Sequence, residues 1–304
     1  MAFGAFGSAP AVATSGSRKS SRFVLALLLP GLVYLGLFFL TPLISLIMTS
    51  LEAPDVSGAI GAYTYAFNIQ NYGAVVGHYL PQILRSFMFA LIATLLALAI
   101  SYPLAYFIGV RMRRFPLLQR LMVTLVIAPF FISFLLRTIA WKQILSEGAP
   151  IMQFVHQMGW LSSSQYFIGT PAAVVFGLTY NFIPFMTLPL YTTLERFDVR
   201  LLEAGADLYA SPAKIFRKVT LPISMPGVIS GTLLTFIPIA GDYVNASRDF
   251  LGSAKTSMIG NMVEADFLQN QDYPSAAALS VLLMAVILVM VSVYVKKSGT
   301  EDLL

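Results

Sequence analysis

The sequence predicts an all-α membrane protein with six transmembrane helices. Of its 304 residues, 57% are hydrophobic and only 11% are charged. Its apolar residues also occur in runs close to the roughly 20 residues that a helix needs to cross a bilayer. An ordinary soluble domain has about 25% charged residues, so this chain has too little charge to cover soluble surfaces. We therefore expect lipid to solvate most of the chain.

Six candidate spans follow one another along the sequence. They are about residues 23–51, 86–110, 121–136 with an extension through Arg137 and Trp141, 171–194, 225–241 and 273–295. An even number of spans places both termini on the same side of the membrane. Segments 52–84 and 242–272 are then long loops on the other side, and each has room for short interfacial helices.

The basic residues indicate which side holds the termini, because Lys and Arg near span ends are retained in the cytoplasm. Most of the 19 basic residues lie before span 1, between spans 2 and 3, between spans 4 and 5, and after span 6. These are Arg18, Lys19, Arg22, Arg111, Arg113, Arg114, Arg120, Arg196, Arg200, Lys214, Arg217, Lys218, Lys296 and Lys297. Both termini are therefore predicted to be cytoplasmic. Arg137 and Lys142 are expected to extend to the outer interface.

The ends of the chain are predicted to be tails. Residues 1–22 are expected to form a disordered cytoplasmic tail, since the first seventeen are rich in Gly, Ala and Ser without apolar periodicity. The transmembrane domain then covers 23–297, and 298–304 form a cytoplasmic C-terminal tail. A cleaved signal peptide is an alternative for the first apolar run, although its apolar core would be only about 7 to 15 residues long.

The composition also limits the chemistry. The chain has no cysteine and two histidines, which removes disulfides, thiolate metal sites and thiol nucleophiles and leaves little for zinc, so no metal site is predicted. The net charge of +5 is scattered among apolar runs, which argues against a nucleic-acid partner. Neither HExxH nor GxSxG is present, and no pair of intramembrane aspartates is found, so an intramembrane enzyme is the weaker alternative.

The longest cytoplasmic loop, 195–222, has the pattern of two short helices. An apolar stripe at helical spacing consists of Phe197, Leu201, Ala204 and Leu208. The first helix is expected to end near Ala210, because Ser211 and Pro212 favour the start of a second helix. That second helix would end before Pro222. Such a loop fits a groove on another protein or, as an amphipathic surface helix, the lipid headgroups.

The sequence of this loop, LLEAGADLYASPAKIFRKVTLP, resembles the EAA loop of permease subunits in ATP-binding-cassette (ABC) importers. The family pattern is EAA, three residues, Gly, nine residues, Ile, any residue, Leu and Pro. The matching positions are Glu203, Ala204, Val219, Leu221 and Pro222. Gly205 replaces the second alanine and Tyr209 replaces the glycine. Since Tyr209 disfavours a turn that needs positive φ, we expect the junction to bend differently or the ring to pack against the ATPase.

Three further stretches resemble the PotB-like permease subunits of spermidine/putrescine importers. They are PFFISFLLRTIAW (129–141), SMPGVISGTLLTFIPIAGDYV (224–244) and FLGSAKTSMIGNMVEADFL (250–268). The resemblance implies the type I ABC importer (MetI-like) permease fold in a bacterial inner membrane. It also implies a heterodimer with a second homologous permease, two copies of a cytoplasmic ATP-binding subunit, and an extracytoplasmic polyamine-binding protein. A permease of the same class for thiamine or an inorganic anion is the alternative.

The resemblance assigns the loop to ATPase coupling. The implied coupling residues are Leu201, Leu202, Glu203, Ala204, Gly205, Leu208, Tyr209, Leu221 and Pro222, with Glu203 as the carboxylate that bonds to the ATPase. The sequence has no GxxxxGK[ST] phosphate loop, so this chain is predicted to hold no cofactor and to be no enzyme. ATP and Mg would be bound by the partner ATPase.

A polyamine path needs carboxylates or carbonyls for the ammonium groups and aromatic faces for cation-π contacts. The candidate path residues are Trp141, Tyr180, Asn181, Asp242 and Tyr243. Asp242 is the most informative, because a carboxylate near the end of a span is costly unless it is paired or hydrated. An ordinary interfacial role for Asp242, and a packing kink at Asn181 with Pro184 and Pro189, are equally open.

Overall fold

The computed structural model describes residues 18–55, 59–159 and 166–297. Within these ranges the chain forms twelve helices and one two-stranded antiparallel hairpin. They are α1 (Arg18–Leu35), α2 (Thr41–Thr49), β1 (Glu52–Pro54), β2 (Tyr63–Tyr65), α3 (Gln70–Tyr106), α4 (Pro116–Ile127), α5 (Phe134–Ile144), α6 (Pro150–Gln157), α7 (Pro171–Glu195), α8 (Arg200–Asp207), α9 (Pro212–Ile215), α10 (Leu221–Ala240), α11 (Ile259–Leu268) and α12 (Tyr273–Lys297).

Short turns of other helix types join several of these elements. A π-helical turn at Gly36–Leu40 joins α1 to α2, a second at Phe107–Arg111 follows α3, and a third at Phe216–Thr220 joins α9 to α10. Short 3₁₀ turns occupy Met112–Arg114 and Ala128–Phe131. As a result, α9 and α10 form one uninterrupted helical column.

The helices account for the predicted spans. Among the described residues, the five helical stretches long and apolar enough to cross a membrane are 27–49, 70–114, 171–195, 212–240 and 273–296. A sixth span exists only as a bent pair, 116–131 with 134–144, whose two arms meet at 94°. The predicted third span and its extension through Arg137 and Trp141 thus correspond to the two arms of this bent pair. The chain breaks at Ile132 and Ser133, whose backbones are extended.

Two predicted boundaries also differ from the structure. Helix α3 begins at Gln70, so the second half of the predicted loop 52–84 is helical and continuous with span 2. Span 5 was predicted to begin after a break near Pro222, yet the column runs unbroken from Pro212. Pro222 is the second residue of α10. Proline has no backbone N–H, which costs little in the first turn of an isolated helix but removes a hydrogen bond inside a continuous one. The π-helical turn before it accommodates the proline ring without a break.

The predicted tails are only partly described. Helix α1 begins at Arg18, so residues 18–22 of the predicted tail 1–22 are helical, and 1–17 lie outside the described residues. The C-terminal tail, 298–304, also lies outside them. The chain divides into two compact units with a boundary between Met48 and Thr49, and the packing described below belongs to the second unit.

Helix α7 is the centre of the second unit and packs between α3 and α10. Its buried face carries Val174, Leu178 and Phe182, which meet Phe89 of α3 and Ile239 of α10. Small residues let these helices approach, as is common for helices within membranes. A Cβ added at Gly231 of α10 would lie 2.8 Å from Sδ and 3.0 Å from the carbonyl oxygen of Met186 in α7. The bundle is therefore held by close backbone packing.

A second cluster joins α3 to α11 and α12. Its buried members are Val75, Ile83, Ile259, Ala278 and Leu279. Two polar contacts add to it: Ser86 Oγ accepts from the Ile259 N–H at 2.7 Å, and the Tyr79 hydroxyl donates to Asp266 Oδ2 at 2.8 Å. The short helix α11 is thereby fixed against the first half of α3.

Candidate functional site

Residues 198–215, which we call the foot, contain α8 and α9 joined by a four-residue turn. The Asp198 carboxylate accepts from the Arg200 N–H at 3.0 Å at the start of α8. Ser211 Oγ accepts from the Lys214 N–H at 3.4 Å, and Pro212 is the first residue of α9. The predicted pair of helices and its Ser–Pro start are therefore confirmed, with α8 ending at Asp207 instead of near Ala210.

Gly205 allows the two helices of the foot to touch. A Cβ at this position would lie 3.1 Å from Cγ1 and 3.3 Å from Cδ1 of Ile215, which is tighter than ordinary van der Waals contact. The glycine that replaces the second alanine of the EAA pattern thus matches the bulk of Ile215 across the foot.

Tyr209 keeps the backbone conformation that glycine would supply. Its φ is +56°, its N–H donates to the Ala206 carbonyl at 2.9 Å, and the next N–H, of Ala210, donates to the Gly205 carbonyl at 3.2 Å. The expectation of a different bend is therefore wrong. An L-residue in the left-handed region costs about 1 to 2 kcal/mol, and the tyrosine ring is 99% exposed.

None of the predicted coupling residues is fully buried. Those exposed on the foot are Leu201, Glu203, Ala204, Leu208 and Tyr209; Leu202 and Gly205 are half-buried. Leu221 is half-buried and Pro222 exposed at the start of α10. Phe197 does not belong to this surface, because it is buried against the bundle and precedes α8. The predicted apolar stripe is therefore shorter by one residue.

Arg113 binds the segment that leads from the end of α7 into the foot. Its Nη1 donates to the Phe197 carbonyl and Nη2 to the Leu194 carbonyl, both at 2.7 Å, and Nη2 also donates to the Glu195 carbonyl. Its Nε donates to the Gly109 carbonyl at 2.6 Å. The guanidinium thus adds a donor to the Leu194 carbonyl, which also accepts from the Phe197 N–H at 3.3 Å, and it binds the Glu195 carbonyl at the end of α7. Sequence reasoning counted Arg113 only as a topology signal.

At the other end of the bundle, Asp242 and Asn181 belong to one buried polar network. Asp242 accepts from the N–H of Asn245 at 2.8 Å and from its Nδ2 at 3.0 Å. Asn181 Nδ2 donates to Asn245 Oδ1 and to Thr138 Oγ1, both at 3.2 Å. The network joins the bent helix α5, the central helix α7 and the loop after α10. Sequence reasoning missed Asn245 and Thr138, although Asp and Asn are residues that favour turns.

The carboxyl group of Asp242 is 6% exposed and lies two residues beyond the end of α10. Burial raises the pKa of Asp242 to about 6, although hydrogen bonds from Asn245 and Ala246 act in the opposite direction. Protonation near neutral pH is therefore within reach of this group.

The other predicted path residues fall into two places. The ring of Trp141 on α5 contacts the ring of Tyr180 on α7, with centroids 5.1 Å apart, and Tyr180 precedes Asn181. Tyr243, by contrast, is half exposed and lines an apolar groove between α10, α11 and α12. The structure therefore brings Trp141, Tyr180, Asn181 and Asp242 to one region, and separates Tyr243 from them.

Arg137 does not extend to the interface as predicted. It is 8% exposed, its guanidinium carbon lies 5.8 Å from the ring centroid of Phe134, and its Nε and Nη1 are buried without a hydrogen-bond partner among the described residues. The 94° bend between α4 and α5 turns this residue inward. Within the same described ranges, no group of three or more His, Cys, Asp or Glu residues has the arrangement of a metal site.

The bundle, with its central α7 and its two-helix foot, matches a known family. Residues 101–296 match the family described as binding-protein-dependent transport system inner membrane component. The chain belongs to this family, and is thus a multi-pass permease subunit of an ABC importer, a membrane component without an enzymatic activity of its own.

Curated relatives narrow the family. The chain is 32% identical to the spermidine/putrescine transport system permease protein PotB of Salmonella typhimurium strain LT2, over 92% of this chain and 96% of the relative. It is 34% identical to PotB of Escherichia coli K12, over 87% and 94% of the two chains. PotB of Haemophilus influenzae Rd is 32% identical over 91% and 94%.

Solved structures share the fold. A chain of a bacterial ABC transporter involved in the import of the acidic polysaccharide alginate superposes with a TM-score of 0.71 at 16% identity, covering 92% of this chain and 96% of that chain. A chain of the MetNI methionine ABC transporter in an inward-facing conformation gives 0.55 at 18% identity, over 72% and 94%. The predicted type I importer fold is confirmed.

Proposed function

We propose that this permease subunit forms part of the translocation path for spermidine or putrescine in a bacterial ABC importer. The observation that carries the proposal is 32 to 34% identity to PotB proteins over nearly the whole length of both chains. The aligned region includes the loop after α10 and helix α11, as well as the foot that importers of many solutes share.

The proposed assembly contains a second homologous permease, two copies of a cytoplasmic ATP-binding subunit and an extracytoplasmic polyamine-binding protein. ATP and Mg are bound by the ATPase. The foot and both termini face the cytoplasm in this proposal, because basic residues gather at that end of the bundle. Asp242 and the loop that follows α10 then face the binding protein.

The foot is proposed to seat in a groove of the ATPase. Leu201, Leu208 and Tyr209 expose 45%, 81% and 99% of their surface, and such an apolar cluster on a short helix fits helix-in-groove recognition. Glu203 is exposed on the same helix, where it can accept charge-assisted hydrogen bonds from the partner. Closure of the ATPase dimer would move the foot, because the two states of the ATPase contact it differently.

The proposed path for the substrate runs along α5, α7 and the end of α10. Trp141 and Tyr180 offer aromatic faces for the ammonium groups and methylene segments of a polyamine, and Asp242 offers a carboxylate. Arg137 is buried one residue before Thr138 on α5, and its charge opposes a polycation at that point of the path.

The test is transport by the reconstituted complex. The chain, its partner permease, ATPase and binding protein are placed in proteoliposomes, and uptake of radiolabelled spermidine is measured with and without ATP and with and without binding protein. We expect spermidine uptake only when both ATP and the binding protein are present. Uptake of thiamine or an inorganic anion in place of polyamines would overturn the proposed substrate and leave the permease class unchanged.

A further inference from the structure

A polar cavity of about 540 Å³ lies at the end of the bundle opposite the foot. Its walls come from α3, from the loop after α10 and from α11. The residues that matter for its chemistry are Gln82, Arg248, Asp249, Asn261 and Glu264. Asp242 is not among the residues that line it, although Ala246 of the wall donates its N–H to the Asp242 carboxylate at 3.4 Å.

The walls of the cavity are fixed by hydrogen bonds that do not use its lining carboxylates. Tyr79 donates to Asp266 at 2.8 Å, and Arg85 Nη1 donates to the Ser257 carbonyl at 2.9 Å. Lys142 Nζ donates to the backbone carbonyl of Asp249 at 2.6 Å, which holds the loop and leaves the carboxylate of that residue free. The cavity is therefore present before any ligand enters.

Acidic residues at this end fall into two groups. Asp242 and Asp266 are buried and accept hydrogen bonds from neighbouring side chains. The carboxylates of Asp249 and Glu264 line the cavity, and within the described ranges no hydrogen bond or ion pair reaches either of them. Gln82 Oε1, also in the cavity wall, is buried and has no donor there. These three groups are hydrogen-bond acceptors without a donor among the described residues.

Glu264 stands on the boundary between two environments. It lines the polar cavity and also the apolar groove of about 760 Å³ between α10, α11 and α12. The apolar side of this groove includes Ile237, Val263, Phe267 and Leu283. A carboxylate between a polar chamber and an apolar groove suits a molecule whose charged ends are separated by methylene segments.

We propose that Glu264, Asp249 and Gln82 bind the ammonium groups of a linear polyamine at the entrance of the permease, with its methylene segment against the apolar groove. This site rests on the proposed polyamine function and deepens it. Ammonium groups carry donors only, which matches three free acceptors, and the carboxylates give the stronger charge-assisted bonds.

The electrostatics of the pair favour a cation. Burial, and then repulsion by Asp249, raise the pKa of Glu264, so the two negative charges oppose each other while the cavity is empty. An ammonium group placed between them removes that repulsion. Arg248 is the basic residue of the wall, and its charge opposes binding.

The test measures binding of radiolabelled spermidine to the purified complex by equilibrium dialysis, without the binding protein. We expect the double variant Asp249→Asn with Glu264→Gln to bind about 10-fold more weakly, as for the loss of a charge-assisted hydrogen bond. Glu147→Gln, an exposed carboxylate outside the cavity, is the matched control and should bind as the wild type does. Arg248→Gln should bind more tightly.

Retained ATP hydrolysis in response to loaded binding protein shows that the double variant is folded and assembled. Equal spermidine affinity in wild type and double variant, or weaker binding by Arg248→Gln, would overturn the site. If the double variant takes up spermidine as fast as the wild type does, this site is overturned and the proposed substrate stands. If the wild-type complex does not transport polyamines, the proposed substrate fails as well.

Discussion

The guanidinium of Arg113 donates to the backbone carbonyl of Phe197 at 2.7 Å, across the junction between the membrane bundle and the foot. Arg113 lies in the 3₁₀ turn Met112–Arg114, and Phe197 lies between α7 and α8. The same side chain also bonds to carbonyls at the end of α7. One residue thus fixes the direction in which the foot leaves the bundle.

Replacement of Arg113 by lysine should loosen this junction while the charge is kept. An ammonium group cannot reach the same set of carbonyls as the planar guanidinium, and each lost bond to a charged group is worth about 1.5 to 3 kcal/mol. We expect more ATP to be hydrolysed per spermidine transported in proteoliposomes. Arg111→Lys and Arg114→Lys, at exposed positions of the same segment, are controls. A normal ratio in Arg113→Lys would contradict this role.

Tyr209→Asn should relieve backbone strain in the foot, because asparagine tolerates the left-handed region. The expected gain is about 1 kcal/mol, seen as roughly 5-fold slower amide hydrogen exchange in α8 and α9. Tyr209→Ala removes the ring but keeps the strain, so its exchange should not slow. Both variants should bind the ATPase more weakly if the ring contacts it. Equal exchange in the Asn and Ala variants would show that the strain is absent.

Glu203→Gln should weaken coupling to the ATPase while the complex still assembles. The amide keeps the shape of the side chain and removes its charge, so charge-assisted bonds to the ATPase are weakened by about 1 to 2 kcal/mol. We expect at least a 5-fold loss of spermidine uptake, measured against the ATPase content of the purified complex. Asp207→Asn, another exposed acid at the end of α8, is the control. Full uptake in Glu203→Gln would reject the coupling role.

Gly231→Ala should destabilise the bundle. The added methyl would meet the Met186 backbone oxygen at 3.0 Å, so α10 and α7 must separate, at a cost of about 1 to 3 kcal/mol. The melting temperature of the reconstituted complex measures the effect. At Gly241 the new Cβ would be 3.6 Å from Leu283, an ordinary contact, and Gly241→Ala should melt close to the wild type. Equal melting of both variants would refute the close packing.

Asp242 should make stability depend on pH. Its pKa is raised from 3.8 to about 6 in the folded chain, so the folded state binds the proton more tightly than the unfolded state does. Its contribution is full below about pH 4 and is lost as the pH rises through about 6. The melting temperature of the wild type relative to Asp242→Asn should therefore fall between about pH 4 and 6.5, by the equivalent of at most about 3 kcal/mol. A constant difference would contradict the raised pKa.

The sequence predicted the spans well because lipid imposes a length and a composition on each one. It did not predict the 94° bend after Phe131, since Pro129 and Ser133 look the same in a straight span as in a bent one. The continuous column from Pro212 was also missed, because Pro222 suggested a break and the π-helical turn that absorbs it has no sequence signal of its own.

Site residues were predictable where a motif fixes their spacing. The foot follows from the EAA pattern and from Ser211 with Pro212, and its backbone turn survived the replacement of glycine by Tyr209. Partners in three dimensions were not predictable. Arg113 and Asn245 act through carbonyls and amides that are distant in sequence, and the inward turn of Arg137 depends on the bend that precedes it.

The unbroken column from Pro212 to Ala240 makes α9 and α10 a rigid rod of 29 residues, about 43 Å long at 1.5 Å per residue. A tilt of one degree about Gly231, which lies about 13.5 Å before Ala240 along the column, displaces Ala240 by about 0.2 Å. The turn at 208–211 joins this column to α8. The column can therefore pivot about the contact of Gly231 with α7, and such a pivot moves the loop that carries Asp242 and Asp249.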